Sequence, residues 1–495
     1  MQDSEPKADR LPPASAATLL GTAAALGVAG DLLLHATPWG LNLSVFAVLL
    51  AVAAVALPRA PGLRRPKSSW WLAPALLFAV LFPLRASETA SVLCGLSALL
   101  CFLMVSYGAG ATPLRLAGMM RIALHVSIAW LLAFGALALF LADGIDYRGI
   151  VSPQRRGPLL AIVRGLLIAT PIVLAFGGLF AAADIFFRDF FADVFAFDVE
   201  TVATHLMVTI LAGWLSGCYL AAITLVSPEP IPPPAPPERA RLGPVEIGIL
   251  FGLVNAVFAL FVVIQFRYLF GGSGRVESSS TLTFADYARR GFFELVAVAV
   301  LTAVLLLAAH WLLAPGRRAW RLFVPLAALL EVLVLVVMVS AFERMRLYMD
   351  FYGLTELRLF VTIFMGWLLI VFAWMAATVL RGARDRFALG AMVAGLFVVV
   401  ATALANPDDL IVRQNLAHAG PDRPLDVNYL LDLGPDGIPT LLAKIDDVPE
   451  SDRCRVIEES RDRYGNPDGD WRSWTYGRWR ASRSAEGRKL DRYCE

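Results

Sequence analysis

The sequence predicts an all-α fold: a polytopic transmembrane helix bundle of about 12 spans, followed by a small C-terminal α-helical polar module. Three observations predict it. The hydrophobic fraction is 58% and the mean hydropathy +0.65, far above the soluble norm. The apolar residues gather into runs close to the roughly 20 residues that a helix needs to cross a hydrocarbon core of about 30 Å. From Asn406 onward the composition turns abruptly polar and charged.

The elements follow in order. Residues 1–15 are polar and proline-bearing, and read as a disordered N-terminus. No cleavable signal peptide is expected, and the first apolar run serves as the insertion signal. Residues 16–226 form an N-terminal bundle half, with apolar runs Ala16–Leu34, Leu41–Leu57, Trp70–Leu84, Ser91–Tyr107, Gly118–Ala142, Leu159–Phe180 and Val202–Val226. Trp70–Leu84 is short and carries Pro83 near its end, which suits a re-entrant or tilted element. Phe186–Val199 is aromatic and acidic, and reads as an interfacial helix. Residues 227–244 are proline-rich and read as a stiff, extended spacer. Residues 245–405 form the C-terminal half, with runs Val245–Leu269, Gly291–Leu313, Leu322–Phe342, Leu359–Leu380 and Phe387–Ala405.

Basic residues in Pro58–Ser69 place that connection and the N-terminus inside. Arg317, Arg318 and Arg321, and then Arg381, Arg384 and Arg386, also ask to be inside. With twelve spans the two preferences conflict. If Trp70–Leu84 does not cross, they agree and the tail lies outside.

The most charged connection between spans is Ser340–Leu369. Arg346 and Asp350 are spaced to pair on one helix face, Tyr348 and Tyr352 suit the headgroup level, and Gly353 ends the helix. Thr355 reads as an N-cap and Glu356 favours the first turn of the next helix. Arg344, Arg346, Asp350, Glu356 and Arg358 are therefore either an interfacial anchor or a functional polar cluster.

Three stretches carry a resemblance. ERMRLYMDFYGLTELRLF (residues 343–360), LTFADYARRGFFELV (282–296) and NPDDLIVRQN (406–415) are similar to motifs of a bacterial multi-pass membrane family of unknown function, domain-of-unknown-function families 4153 and 4173. The likeness covers most of the chain from about Trp70 onward. It implies a helical bundle in the bacterial cytoplasmic (inner) membrane, and it implies no activity. The excess of arginine over lysine and the abundant alanine also fit a GC-rich bacterial genome.

Ionisable groups within apolar runs are candidate sites. Glu331 lies near the middle of its run, and Glu294 lies a turn inside another. Together with Arg267 or Arg164 they are candidates to line a polar cavity. Asp31 and His35 read as interface markers, and Asn255 and Gln265 as hydrogen bonds between helices. Thr283–Asp286 resembles a capping box that starts a helix near Phe284.

Residues 406–495 read as a helical tail, with helices over Leu425–Leu433, Gly437–Ile445 and Val448–Arg463 and a turn at Gly465–Gly469. Trp471, Trp474 and Trp479 lie among arginines and either dock the module or touch a partner. Cys454 and Cys494 are candidates for a disulfide in an oxidising compartment.

Net charge is only +2, so no nucleic-acid partner is expected. No nucleophile elbow, zincin, P-loop or dinucleotide fingerprint occurs, and no cysteine or histidine pair has metal-ligand spacing. No catalytic residue, metal or cofactor is therefore expected. The lipid bilayer is the expected partner, with a protein partner meeting the tail. The leading reading is a non-enzymatic envelope or signalling scaffold. A transporter or channel using Glu331, and a membrane enzyme acting on lipid-linked substrates, are the alternatives. The enzyme reading needs the connections Arg275–Arg290 and Arg344–Arg358 on one side.

Overall fold

The computed structural model describes residues 11–107, 199–225, 236–270, 292–420, 423–465 and 469–494, with 124, 127, 128, 130, 131 and 134 besides. Among these residues there is no strand, only two isolated bridges. The helices are α1 Pro13–Leu34, α2 Leu41–Ala56, α3 Leu72–Leu81, α4 Glu88–Tyr107, α5 Val199–Thr224, α6 Pro244–Phe270, α7 Phe292–Leu312, α8 Arg317–Tyr352, α9 Glu356–Thr378 and α10 Phe387–Ala405. The tail adds α11 Pro407–His418, α12 Val427–Asp432, α13 Ile438–Ala443, α14 Glu450–Tyr464 and α15 Tyr476–Ala485.

Nine of the described helices are long and apolar enough to cross a membrane. The apolar segment Ser69–Leu84 is shorter. Most of the run at 118–142, the run at 159–180, the interfacial reading at 186–198 and the cap reading at 283–286 lie outside the described residues, as does the first half of the proline-rich spacer, 227–235. Helices are what a bilayer permits, because they satisfy every backbone group within the segment. Their outward faces are apolar: Ile249, Leu253, Val257 and Leu260 form an exposed stripe along α6, and Leu206 and Ile210 begin one on α5. Contiguous exposed apolar surface of this kind suits lipid and not water.

The chain divides into two compact units. One comprises 1–72, 104–109 and 126–228, and the other 73–103, 110–125 and 229–495. In the first unit α1 and α5 run antiparallel along a seam of small residues. A Cβ on Gly27 would meet the Thr209 carbonyl at 2.6 Å, and one on Gly30 would collide with Ala212. Such seams let helices approach where lipid offers no hydrophobic drive. The turn from α1 to α2 is held by Asn42, which is fully buried. Its Oδ1 accepts from the Gly40 and Leu43 N–H groups, and its Nδ2 donates to the Leu33 and Ala36 carbonyls.

In the second unit α6, α7, α8 and α9 share a core that includes Phe251, Ala299, Leu306, Phe323, Leu330 and Phe372. Asn255 donates to the Leu326 carbonyl at 3.0 Å, and Ser340 donates to Gln265 at 3.2 Å. Both residues thus bond between helices, as their depth in the sequence suggests. Trp374 and Trp367 on α9 lie over Gly390 and Gly395 of α10. The tail helices enclose a separate core of Val412, Leu430, Leu441, Ile457 and Ala481, among others. Here burial from water provides the drive, roughly 25 cal/mol per Å² of apolar surface.

Candidate functional site

The site is the junction where the tail meets the ends of the membrane helices within the second unit. It begins at the turn between α8 and α9. Gly353 takes φ 74°, which favours glycine. A Cβ there would meet Asn415 Oδ1 at 2.6 Å, so the close approach also requires glycine. Asn415, on α11, accepts the Leu354 N–H at 2.7 Å and donates to the Leu354 carbonyl at 2.8 Å. Tyr429, at the start of α12, accepts the Glu356 N–H at 2.8 Å. Thr355 stands at the N-cap position but makes no side-chain cap bond. The tail supplies the acceptor that a cap would have given. Arg358 closes the turn from the other side: it donates to the Tyr352 and Gly353 carbonyls at 3.0 and 2.6 Å, and its guanidinium lies 4.1 Å from the Tyr348 ring centroid.

The second part is the connection before α4. Arg85 is buried and donates to the Ala403 carbonyl at 2.5 Å and the Leu404 carbonyl at 3.0 Å. These are among the orphan carbonyls at the C-terminus of α10, where a cation is favoured. Asp436 accepts the Ala86 and Ser87 N–H groups at 2.5 and 3.1 Å, and so caps the start of α4 from 350 residues away. Gly477 on α15 makes room for it, because a Cβ there would collide with the Asp436 carboxylate.

Between these parts lies Asp408. Asn406, in the left-handed region at φ 56°, caps α11, Pro407 occupies its first position and Asp408 follows. Asp408 is wholly buried, and neither carboxylate oxygen has a hydrogen-bond partner among the described residues. Burial pushes its pKa up to about 8, the nearby Asp436 and Glu356 charges add to the rise, and Arg85 opposes it. Asp436 is also raised, by burial first, against the pull of its Ala86 hydrogen bond and Arg85. The junction therefore holds two fixed cations, Arg85 and Arg358, a capping carboxylate and an acid that keeps its proton near neutral pH.

The sequence-selected residues divide. Glu356 and Arg358 belong to the junction. Arg346 pairs with Glu343 at 3.7 Å, in place of the expected Asp350, and Arg344 and Asp350 lie half-buried on the same helix end. Glu331 is 4% exposed, with neither oxygen hydrogen-bonded among the described residues. Glu294 is exposed beside Leu295, which packs with Val337, Ala341 and Met345. Glu331 lies beside Leu330 and Val334 in the other cluster, so the two carboxylates are not brought together. Arg164 and the Arg267 side chain lie outside the described residues, as does all of Arg275–Arg290. Cys454 and Cys494 are placed as a disulfide with Cα atoms 4.9 Å apart.

Arg85, Asp408, Asn415, Tyr429, Asp436 and Gly477 were not singled out as site residues. Two signals were present: an arginine directly before a helix start in Phe82–Glu88, and an aspartate inside the Gly434–Gly437 turn.

Residues 72–443 match the family described as Domain of unknown function (DUF4153). The chain belongs to the DUF4153 family. Of the junction, Arg85, Glu356, Asp408, Asn415, Tyr429 and Asp436 fall inside the DUF4153 span, whereas Gly477, the disulfide and the three tail tryptophans lie beyond it. Two of the stretches that resemble DUF4153 motifs, 343–360 and 406–415, meet directly through Leu354 and Asn415. No curated protein and no solved structure matches the chain.

Proposed function

We propose that this protein is a non-enzymatic scaffold of the bacterial cytoplasmic membrane, whose helical tail is a fixed platform for a protein partner. The observation that carries this reading is the junction. Asn415, Tyr429 and Asp436 lock the tail to two separate connections between membrane helices. The rest of the tail is left to face outward, and there Trp471, Trp474 and Trp479 are 58%, 40% and 44% exposed. Arg483 lies over the Trp479 ring and Arg480 over Tyr476. Aromatic rings with arginine are the composition of binding hot spots, and the partner they suit is an acidic, partly apolar protein segment. The tail's disulfide favours an oxidising compartment.

The test is complementation of a deletion strain. Replacing Trp471, Trp474 and Trp479 together by alanine leaves insertion and folding intact but fails to restore the wild-type phenotype. Full rescue by that triple variant would remove the reading.

Glu331 favours a second reading, transport. A carboxylate 4% exposed inside a membrane bundle, without a hydrogen-bond partner among the described residues, is costly to keep. On this reading Glu331→Gln abolishes solute or proton flux in proteoliposomes. Equal flux from the wild type and the variant rules it out.

A further inference from the structure

Asp31, His35 and His205 stand apart from the junction, in the first unit. We propose that they form a binding site for a divalent transition-metal ion of the zinc class. Each offers one ligand atom, and these atoms all lie within 4.8 Å of one another. Asp31 and His35 are four apart at the C-terminal end of α1, a spacing that stacks two side chains on one helix face. His205 comes from the first turns of α5.

The helix seam brings them together. Gly27 and Gly213 meet with backbones almost in contact, and the antiparallel register then sets His205 against Asp31, one turn beyond Gly27. On the other side, Asn42 holds the Leu33 and Ala36 carbonyls and so fixes the helix end that bears His35. The rigid frame is what a metal site needs, since ligands must be held before the ion arrives.

The donor set is two imidazoles and one carboxylate. That set suits zinc, nickel or cobalt, and is too nitrogen-rich for magnesium or calcium. His205 Nδ1 lies 2.8 and 2.9 Å from the two Asp31 oxygens, and its ring stacks on His35 with centroids 4.0 Å apart. The ion replaces the proton shared by His205 and Asp31. The two rings then turn so that their lone pairs converge on one point, with ligand atoms about 3.3 Å apart in tetrahedral geometry. Three protein ligands leave a fourth position open to water or an exchanging ligand. Access is direct: His35 is exposed, and the His205 side chain is 43% exposed.

Among the described residues one other group has comparable spacing, Cys454, Glu458 and Cys494. Its two sulfurs are joined to each other, so it offers no thiolate.

The experiment uses the full chain in nanodiscs, without reductant. Zinc is titrated against a chromophoric chelator, and cobalt is added separately as a spectroscopic probe. The expected result is one zinc per chain, and a visible d–d band with cobalt. Asp31→Asn and His205→Gln each weaken binding by about tenfold or more. His35→Gln does the same, and because His35 is exposed it tests the site even if the other two variants misfold. Absence of stoichiometric zinc binding in the wild type overturns the proposal. So does zinc binding that is unchanged in His35→Gln and in a His35→Gln/His205→Gln double variant.

Discussion

Asn415 and Leu354 exchange two hydrogen bonds, the Leu354 N–H to Asn415 Oδ1 at 2.7 Å and Asn415 Nδ2 to the Leu354 carbonyl at 2.8 Å. A side-chain amide thus pairs with a backbone peptide as a neighbouring strand would. Asn415→Ala leaves both backbone groups of a buried residue without partners, at about 1–3 kcal/mol each. Asn415→Asp keeps the acceptor and loses the donor. The melting temperature in detergent should therefore fall in the order wild type, Asp, Ala.

Asp408 gives the junction a pH dependence. Its folded pKa of about 8 stands above the ordinary value of 3.8, so the folded state binds the proton more tightly than the unfolded chain. Stability contributed by this group is greatest below about pH 4 and is lost as pH rises toward 8. Asp408→Asn removes the titrating group. A plot of melting temperature against pH should slope downward from 4 to 8 in the wild type and be flatter in the variant. Parallel slopes would count against the assignment.

Gly477→Ala separates packing from helix propensity. In an open helix, alanine is favoured over glycine by about 1 kcal/mol. Here the added methyl meets the Asp436 carboxylate and displaces it from the Ala86 and Ser87 N–H groups. The expected outcome is a loss of about 1–3 kcal/mol in urea unfolding of the tail. A gain in stability would show that the carboxylate can move without cost.

The Cys454–Cys494 disulfide closes a loop with a sequence separation of 40. A loop of that length stabilises its module by roughly 3–4 kcal/mol. Reductant should slow the protein on a denaturing gel and lower the unfolding midpoint of the tail. Replacing both cysteines by serine should reproduce the lower midpoint and make it insensitive to reductant.

Much of this fold was legible because its dominant signal is local. Apolar runs of membrane length read directly as α6, α7, α9 and α10, and the Gly353 stop and the tail helices near 427, 438 and 450 fell close to their observed places. The junction was harder to read because its pairings are distant. Arg85 bonds to carbonyls more than 300 residues on, and Asp436 caps a helix 350 residues back. Neither residue has a local partner to mark it. The same reason hid the metal-type cluster: Asp31 and His35 showed a helical spacing, but His205 lies 174 residues from Asp31. Glu331 was legible for the opposite reason, since a carboxylate within an apolar run stands out without reference to any other residue. Thr355 stands at the N-cap the sequence assigns it, but its side chain makes no cap bond, and the acceptor for the Glu356 N–H comes from Tyr429, 73 residues away.

The length of α8 has a mechanical consequence. Its 36 residues make a rod of about 54 Å at 1.5 Å per residue. The hydrocarbon core is about 30 Å thick, so the rod outreaches it by roughly 24 Å. Its far end is the Gly353 turn that Asn415 grips. A tilt of about 10° swings one end sideways by roughly 9 Å relative to the other, and tilting is how a long helix adapts to a thinner bilayer. The tail is therefore held at the end of a helix that outreaches the hydrocarbon core, and any tilt of that helix has to carry the packed α6, α7 and α9 and the Arg85 connection with it.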